Sequence, residues 1–215
     1  MNILMTLYYS FFESPLFSAI SENNNDLASE LIKKKYHLNA KDRWGSSALT
    51  AAAGSNNLEL VKKLIKYGLN LNHVSKNSGS SPLVLASMHG HYEVVKILVS
   101  EGVDVNLATS DYHRAFINMT PLMWATNRGF IEIAALLLEA GADINAINGD
   151  NATAAMFVVR NTNYNVDMFK LLLKYNPDVT IRDWRGKSII DEVEAWSENS
   201  NRHEMKEILA ASEKA

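Results

Sequence analysis

Six histidines carry most of the acid–base and metal-binding potential of this 215-residue sequence, because imidazole changes charge near neutral pH and coordinates metals readily. His89 and His91 are two apart, a spacing that on a single helix sends them to different sides. His37, His73, His113 and His203 are dispersed, without the grouping that zinc ligands need. The carboxylates offer no better pair. Asp104, Asp143 and Asp178 recur at one place in a repeating pattern, which predicts structural ladders between neighbouring turns and not an acid–base couple. Cysteine is absent, so thiolate catalysis, disulfides and cysteine-bound metal centres are excluded. No glycine-rich phosphate loop runs into Lys-Ser or Lys-Thr, and no Gly-x-Ser-x-Gly nucleophile turn occurs. The expectation is a protein that is not an enzyme, with no catalytic, cofactor-binding or metal-binding residue and no cofactor.

Charge narrows the partners. The chain has 21 basic and 24 acidic side chains, a formal net charge of -3. Phosphate backbones ask for a clear positive balance, so no nucleic-acid partner is expected. The lysines at 33–35 and 62–66 fall on helices that also carry Glu30 and Glu59. Residues 1–12 are uncharged and apolar in character, and the first basic residue is Lys33. That pattern lacks the basic start of a secretory signal and is too short to cross a bilayer, for which about 20 apolar residues are needed. Leu4, Leu7, Phe11 and Phe12 are therefore expected to pack as an N-terminal cap. The expected compartment is the cytoplasm, with a weak export signal as the alternative.

What must position any functional side chain is a repeat. Pro15, Ala48, Pro82, Pro121, Ala154 and Ile189 each follow a small hydroxylated residue, at steps of 33, 34, 39, 33 and 35 residues. A period near 33 with two short helices per unit is the mark of a solenoid. Ser47, Ser81, Thr120, Thr153 and Ser188 can cap the first helix of their units. Proline at the next position pre-sets the helical φ and loses no hydrogen bond there. Ala19, Ala52, Ala86 and Ala125 let successive first helices approach closely. The second helices pair apolar residues four apart, as in Leu60-Val61 with Leu64-Ile65 and Val94-Val95 with Leu98-Val99, which buries one broad stripe. Gly68, Gly102 and Gly141 end them, and Asn176 takes that place in the fifth unit. The Asn23-Asn24-Asn25 run reads as turn filler.

These segments resemble the ankyrin-repeat family. The likeness rests on Ser-Pro-Leu-Val-Leu-Ala (81–86) with Gly-His-Tyr-Glu-Val-Val (90–95), and on Thr-Pro-Leu-Met-Trp-Ala (120–125) with Gly-Phe-Ile-Glu-Ile-Ala (129–134). Glu-Gly-Val-Asp-Val-Asn (101–106) and Ala-Gly-Ala-Asp-Ile-Asn (140–145) complete it. The resemblance implies an all-α repeat solenoid of helix-turn-helix units joined by β-hairpin-like turns. It covers a single domain at 13–211 of about six units, approximately 13–41, 42–75, 76–114, 115–147, 148–182 and 183–211. His91 sits where the family has a turn histidine with a structural hydrogen bond. The 39-residue step inserts five or six residues in the hairpin at 107–119. Two further additions fall near 161–165 and 196–202, and the last helix, near 202–211, should be a water-facing cap.

The scaffold then separates structural side chains from candidates. Trp124 and Phe157 fall on the inward side of first helices. Trp44, Met88, His89, Tyr112, His113, Arg114, Phe116, Asn127, Arg128, Arg160, Trp184 and Arg185 fall at hairpin tips or on the outer side of first helices. Aromatic residues and arginine dominate binding hot spots, since they bury much area at low entropy cost. In the resembled family the concave groove is the usual partner surface. The expected function is therefore a non-catalytic protein–protein interaction module, binding an unidentified protein through groove and hairpin tips, including the 107–119 insertion. Alternatives are an inhibitor or immunity-type protein masking a toxin or enzyme, and a bacterial effector engaging host proteins. The unbound chain is expected to be a monomer.

Overall fold

A computed structural model describes residues 14–110, 117–160, 165–195 and 200–212. The apolar start at 1–12, four candidates of the inserted hairpin (Tyr112, His113, Arg114 and Phe116), and most of the additions near 161–165 and 196–202 lie outside the described residues. The chain forms two compact units, Met1–Asp111 and Tyr112–Ala215. Among the described residues every regular element is a helix.

In the first unit the helices are α1 (Pro15–Ser21), α2 (Asn25–Lys33), α3 (Ala48–Gly54), α4 (Leu58–Lys66), α5 (Pro82–His89) and α6 (Tyr92–Ser100). Each odd-numbered helix packs on the even-numbered one that follows it. The odd helices also pack side by side, as do the even ones, so the unit has two helical layers. The second unit repeats the plan with α7 (Pro121–Arg128), α8 (Ile131–Glu139), α9 (Ala154–Arg160), α10 (Val166–Leu173), α11 (Ile189–Glu194) and α12 (Ser200–Ser212). The last helix begins two residues before the sequence suggested. Met205 and Leu209 are its buried side, while His203, Glu204, Lys206 and Glu207 face solvent.

Local chemistry accounts for the helix starts. The hydroxyls of Ser47, Ser81 and Thr120 accept the N–H of Thr50, Val84 and Met123 at 3.1, 3.2 and 3.2 Å. Ser188 does the same for Asp191, whose carboxylate accepts the Ser188 N–H in return. Each such cap contributes about 1 kcal/mol. The second helices use asparagine instead: Asn24, Asn57 and Asn165 accept from Leu27, Leu60 and Met168. The Asn23-Asn24-Asn25 run is thus no filler. Asn23 turns left-handed at φ 53°, Asn24 caps α2, and Asn25 accepts a 2.6 Å bond from Asn57 in the next repeat.

The core lies between the two layers. Leu60, Val61 and Leu64 of α4 are fully buried, as are Val94, Val95 and Leu98 of α6. Ala52 and Ala86 are equally buried on the first helices, where a larger side chain would push the row apart. Shortening Leu64 to alanine would cost about 3 kcal/mol. Trp124 is in the core as expected, whereas Phe157 is only half-buried. Asn176 ends its repeat at φ 49°, and Lys35 fills the corresponding place after α2 at φ 54°.

Candidate functional site

The outer candidates stand on turns built by one recurring device. At the start of a hairpin an Asp or Asn oxygen accepts two backbone N–H groups, two and four residues on. Asp42 holds Trp44 at 2.8 Å and Ser46 at 2.7 Å. Asn148 holds Asp150 at 3.0 Å and Ala152 at 2.8 Å. Asp183 holds Arg185 at 2.8 Å and Lys187 at 2.9 Å. Side-chain acceptors of this kind fix a turn with no help from a neighbouring strand.

In the first unit this turn presents Trp44, whose surface is 53% exposed. The next hairpin straps it down from outside. The Asn77 N–H donates to the Trp44 carbonyl at 3.0 Å, the Asn77 side chain to the Arg43 carbonyl at 2.9 Å, and His73 Nε2 lies 2.9 Å from the Gly45 carbonyl. Gly45 is at φ 76°, and a Cβ there would stand 2.9 Å from Lys76 Cβ and N, so the turn admits only glycine. The Arg43 guanidinium lies 5.2 Å from the Trp44 ring centre, within cation–π reach. The indole is therefore held in place while most of it meets water.

In the second unit Trp184 is 62% exposed and is anchored differently. Its N–H donates to the Asp150 carbonyl at 2.9 Å. One oxygen of the fully buried Asp183 carboxylate serves the turn, and the other accepts Arg160 Nη2 at 2.6 Å and Arg185 Nε at 2.8 Å. Glu192 closes the cluster, meeting Arg160 Nε at 3.1 Å and also Arg185 Nη2. Burial would raise the pKa of Asp183. The Lys187 and Arg185 amides, the Arg185 side chain and the Arg160 charge outweigh it and hold the carboxyl below the usual aspartate range. Arg182 pairs with Asp191 at 2.8 Å. Ser188 hydrogen bonds chiefly, with help from Arg182, hold the Asp191 carboxyl low as well.

Of the remaining candidates, Met88 is half-buried and His89 exposed at the end of α5, while Asn127 is half-buried and Arg128 exposed at the end of α7. His89 and His91 come closer than helical spacing allows, with ring centres 5.6 Å apart. The helix ends at His89, and Gly90 turns left-handed at φ 78°, which brings the second ring back. His91 Nε2 lies 3.0 Å from the Gly54 carbonyl, the structural bond expected of it. The carboxylates of Asp104, Asp143 and Asp178 do not form the predicted ladder; each accepts the N–H two residues on in its own turn. The rungs run instead from asparagine side chains to aspartate backbone, Asn72 accepting the Asp104 N–H at 2.9 Å and Asn145 the Asp178 N–H at 2.7 Å. Among the described residues no three His, Asp or Glu side chains gather as a metal site, and no helix is long and apolar enough to cross a membrane.

Trp44, Met88 and His89 thus belong to the first unit, and Asn127, Arg128, Arg160, Trp184 and Arg185 to the second. Arg160 and Arg185 meet each other on Asp183, so their guanidiniums serve the Trp184 hairpin itself. Sequence reasoning missed Asp183 and Glu192. The available signal was an aspartate at the hairpin position that Asn148 fills one repeat earlier.

A profile described as ankyrin repeats, in three copies, matches residues 16–109 and again 110–183. A curated relative, Dauer abnormal formation protein 25 of Caenorhabditis elegans, is 42% identical over 60 residues. That match covers 28% of this chain and 16% of the relative.

Proposed function

The chain belongs to the ankyrin-repeat family, and on that premise we propose that it binds a partner protein through its hairpin tips and the exposed side of its first helices, in the manner of a groove. Ankyrin repeats are in general protein-interaction modules without catalytic activity. The observation that carries the reading here is the pair of tip indoles, Trp44 and Trp184, which are 53% and 62% exposed although their backbones are hydrogen-bonded in place. An exposed indole costs the free protein apolar contact with water. Its turn backbone is already ordered, so a partner that covers it gains the area without paying to order the turn. The insertion at 107–119 belongs to the same proposed surface, as does His89 at the end of α5. The protein acts in this reading as a monomer.

The test is capture of partners from the native organism with four baits: wild type, Trp44→Ala, Trp184→Ala and a chain shortened across 111–117. Truncating a hot-spot tryptophan costs at least about 2 kcal/mol, roughly thirtyfold in Kd. One partner retained by wild type and lost from a tryptophan variant of unchanged melting temperature supports the surface. Equal capture by wild type and both tryptophan variants refutes it.

A further inference from the structure

The first unit has an opening that its repeat pattern does not call for. Between the turn after α2 and the end of α4 lies a cleft of about 490 Å3, with Lys35, His37, Asn39 and Tyr67 as its polar walls and Leu38 and Leu69 among its apolar ones. The next joint of the same unit is closed at this level by the bond from the Asp104 N–H to Asn72, and a joint of the second unit by the bond from the Asp178 N–H to Asn145. Asn39 stands one repeat before Asn72, yet among the described residues its side chain bonds to nothing on the turn after α4. The chain explains why. Lys35 and His37 stand where later repeats have a glycine or Asn176 and an aspartate or asparagine, and both are left-handed, at φ 54° and 52°. Two such residues cost about 1 kcal/mol each. The later repeats are left-handed at the Lys35 position as well, at Gly68 and Gly102, but not at the His37 position, so it is the turn at His37 that sets this hairpin apart from those whose joints are closed. The Tyr36 and His37 rings meet edge to face at 4.4 Å, which fixes the imidazole at the rim.

The charge around the opening is one-sided. No acidic residue occurs at 31–41 or at 60–92, the two segments that supply both walls. Lys34 and Lys63 are neutralised by Glu30 and Glu59 at 2.5 and 2.6 Å. Lys33, Lys35, Lys62 and Lys66 have no ion pair among the described residues. A cation in the last turn complements the carbonyl end of its helix, as Lys33 and Lys66 do, whereas Lys35 lies beyond its helix and lines the cleft itself. The volume lies in the range of small-ligand pockets. It suits a short extended segment and not a folded surface.

We propose that this cleft receives a carboxylate-rich, extended segment of a partner protein. Lys35 and His37 meet its acidic side chains, and the Tyr67 hydroxyl and Asn39 amide meet its backbone. The proposal rests on the interaction-module reading and names the chemistry of one part of the partner.

The experiment is an NMR titration of the isotope-labelled full chain with a capped hexaglutamate peptide, and in parallel with hexalysine and with inorganic phosphate at matched ionic strength. The glutamate peptide should shift amides at 35–40 and 67–69, hexalysine should not, and raising the salt should weaken the effect. Lys35→Glu should bind the peptide roughly five- to tenfold more weakly. Trp44→Ala should bind it like wild type, so failure here is distinct from failure of the tryptophan surface. Peptide shifts that are absent or fall elsewhere, unchanged affinity in Lys35→Glu, or phosphate reproducing the pattern at equal concentration would overturn the proposal, the last in favour of a small-anion site.

Discussion

The Trp44 and Trp184 hairpins share a sequence plan and differ in what holds them. Both begin at an aspartate, carry the indole next after it but one or in sequence beside it, and turn at a left-handed glycine, Gly45 or Gly186. The first is strapped by backbone and amide bonds from the following hairpin, through Asn77 and His73. The second is clamped by charge, with Arg160, Arg185 and Glu192 gathered on Asp183. The two Asn77 bonds are between neutral groups and change little with salt, whereas an ionic clamp responds to it. The comparison teaches that two repeats can present one residue type from neighbouring positions of the same turn with different tolerance to their surroundings.

The sharpest way to break the comparison is at the two aspartates. Asp183→Ala removes the turn bonds and leaves two guanidiniums without their shared carboxylate, which should cost about 3 kcal/mol in urea unfolding. Asp42→Ala loses only turn bonds and should cost about 1–2 kcal/mol. Asp183→Asn separates the terms, because Asn148 already performs the turn role as an amide. It should retain the hairpin and lose about 1–2 kcal/mol of ionic stabilisation. Equal losses from Asp183→Ala and Asp42→Ala would remove the distinction.

The glycines give the next largest effect. Gly45→Ala meets both a positive φ and the Lys76 backbone at 2.9 Å, and should cost about 2–3 kcal/mol. Gly186 has the same sign of φ but open space around it, so Gly186→Ala should cost about 1 kcal/mol. Thermal melting of both variants checks the order.

Acid gives the smallest effect. Because the folded pKa of Asp183 is depressed, its contribution is complete above the unfolded aspartate value of about 3.9 and disappears as pH falls through the folded value below that. The protection of the Arg185 and Lys187 amides, taken against the intrinsic exchange rate at each pH, should therefore fall below about pH 4. The Asn77 amide, which bonds to the Trp44 carbonyl, should change less over the same range.

Much of the fold was legible because its signals are local. A hydroxyl before a proline or alanine, and apolar pairs four apart, act within one turn of helix, so Ser81, Thr120 and Ser188 cap where they were expected to. The period alone marks Asp104 and Asp178 as recurring turn positions, but not that the rungs are asparagine side chains bonded to their backbone N–H groups. The site was less legible because its partners are distant in the chain. Arg160 finds Asp183 across 23 residues and Glu192 across 32, and no short spacing announces either contact. Two arginines that the sequence offered as contact residues are committed within the molecule as well. The open cleft goes with the left-handed backbone at His37, which residue type opposes and only the three-dimensional packing fixes.

The most direct test of the central idea is fluorine NMR of the chain labelled with 5-fluorotryptophan, with and without the captured partner. The chain has four tryptophans, and single Trp→Phe variants assign the four signals. Trp44 and Trp184 are exposed while Trp124 is only 7% exposed, so these three report separately. The account predicts that the Trp44 and Trp184 signals shift and lose their sensitivity to solvent on binding, and that the Trp124 signal stays in place. Signals from both tip indoles that are indifferent to a bound partner would contradict it.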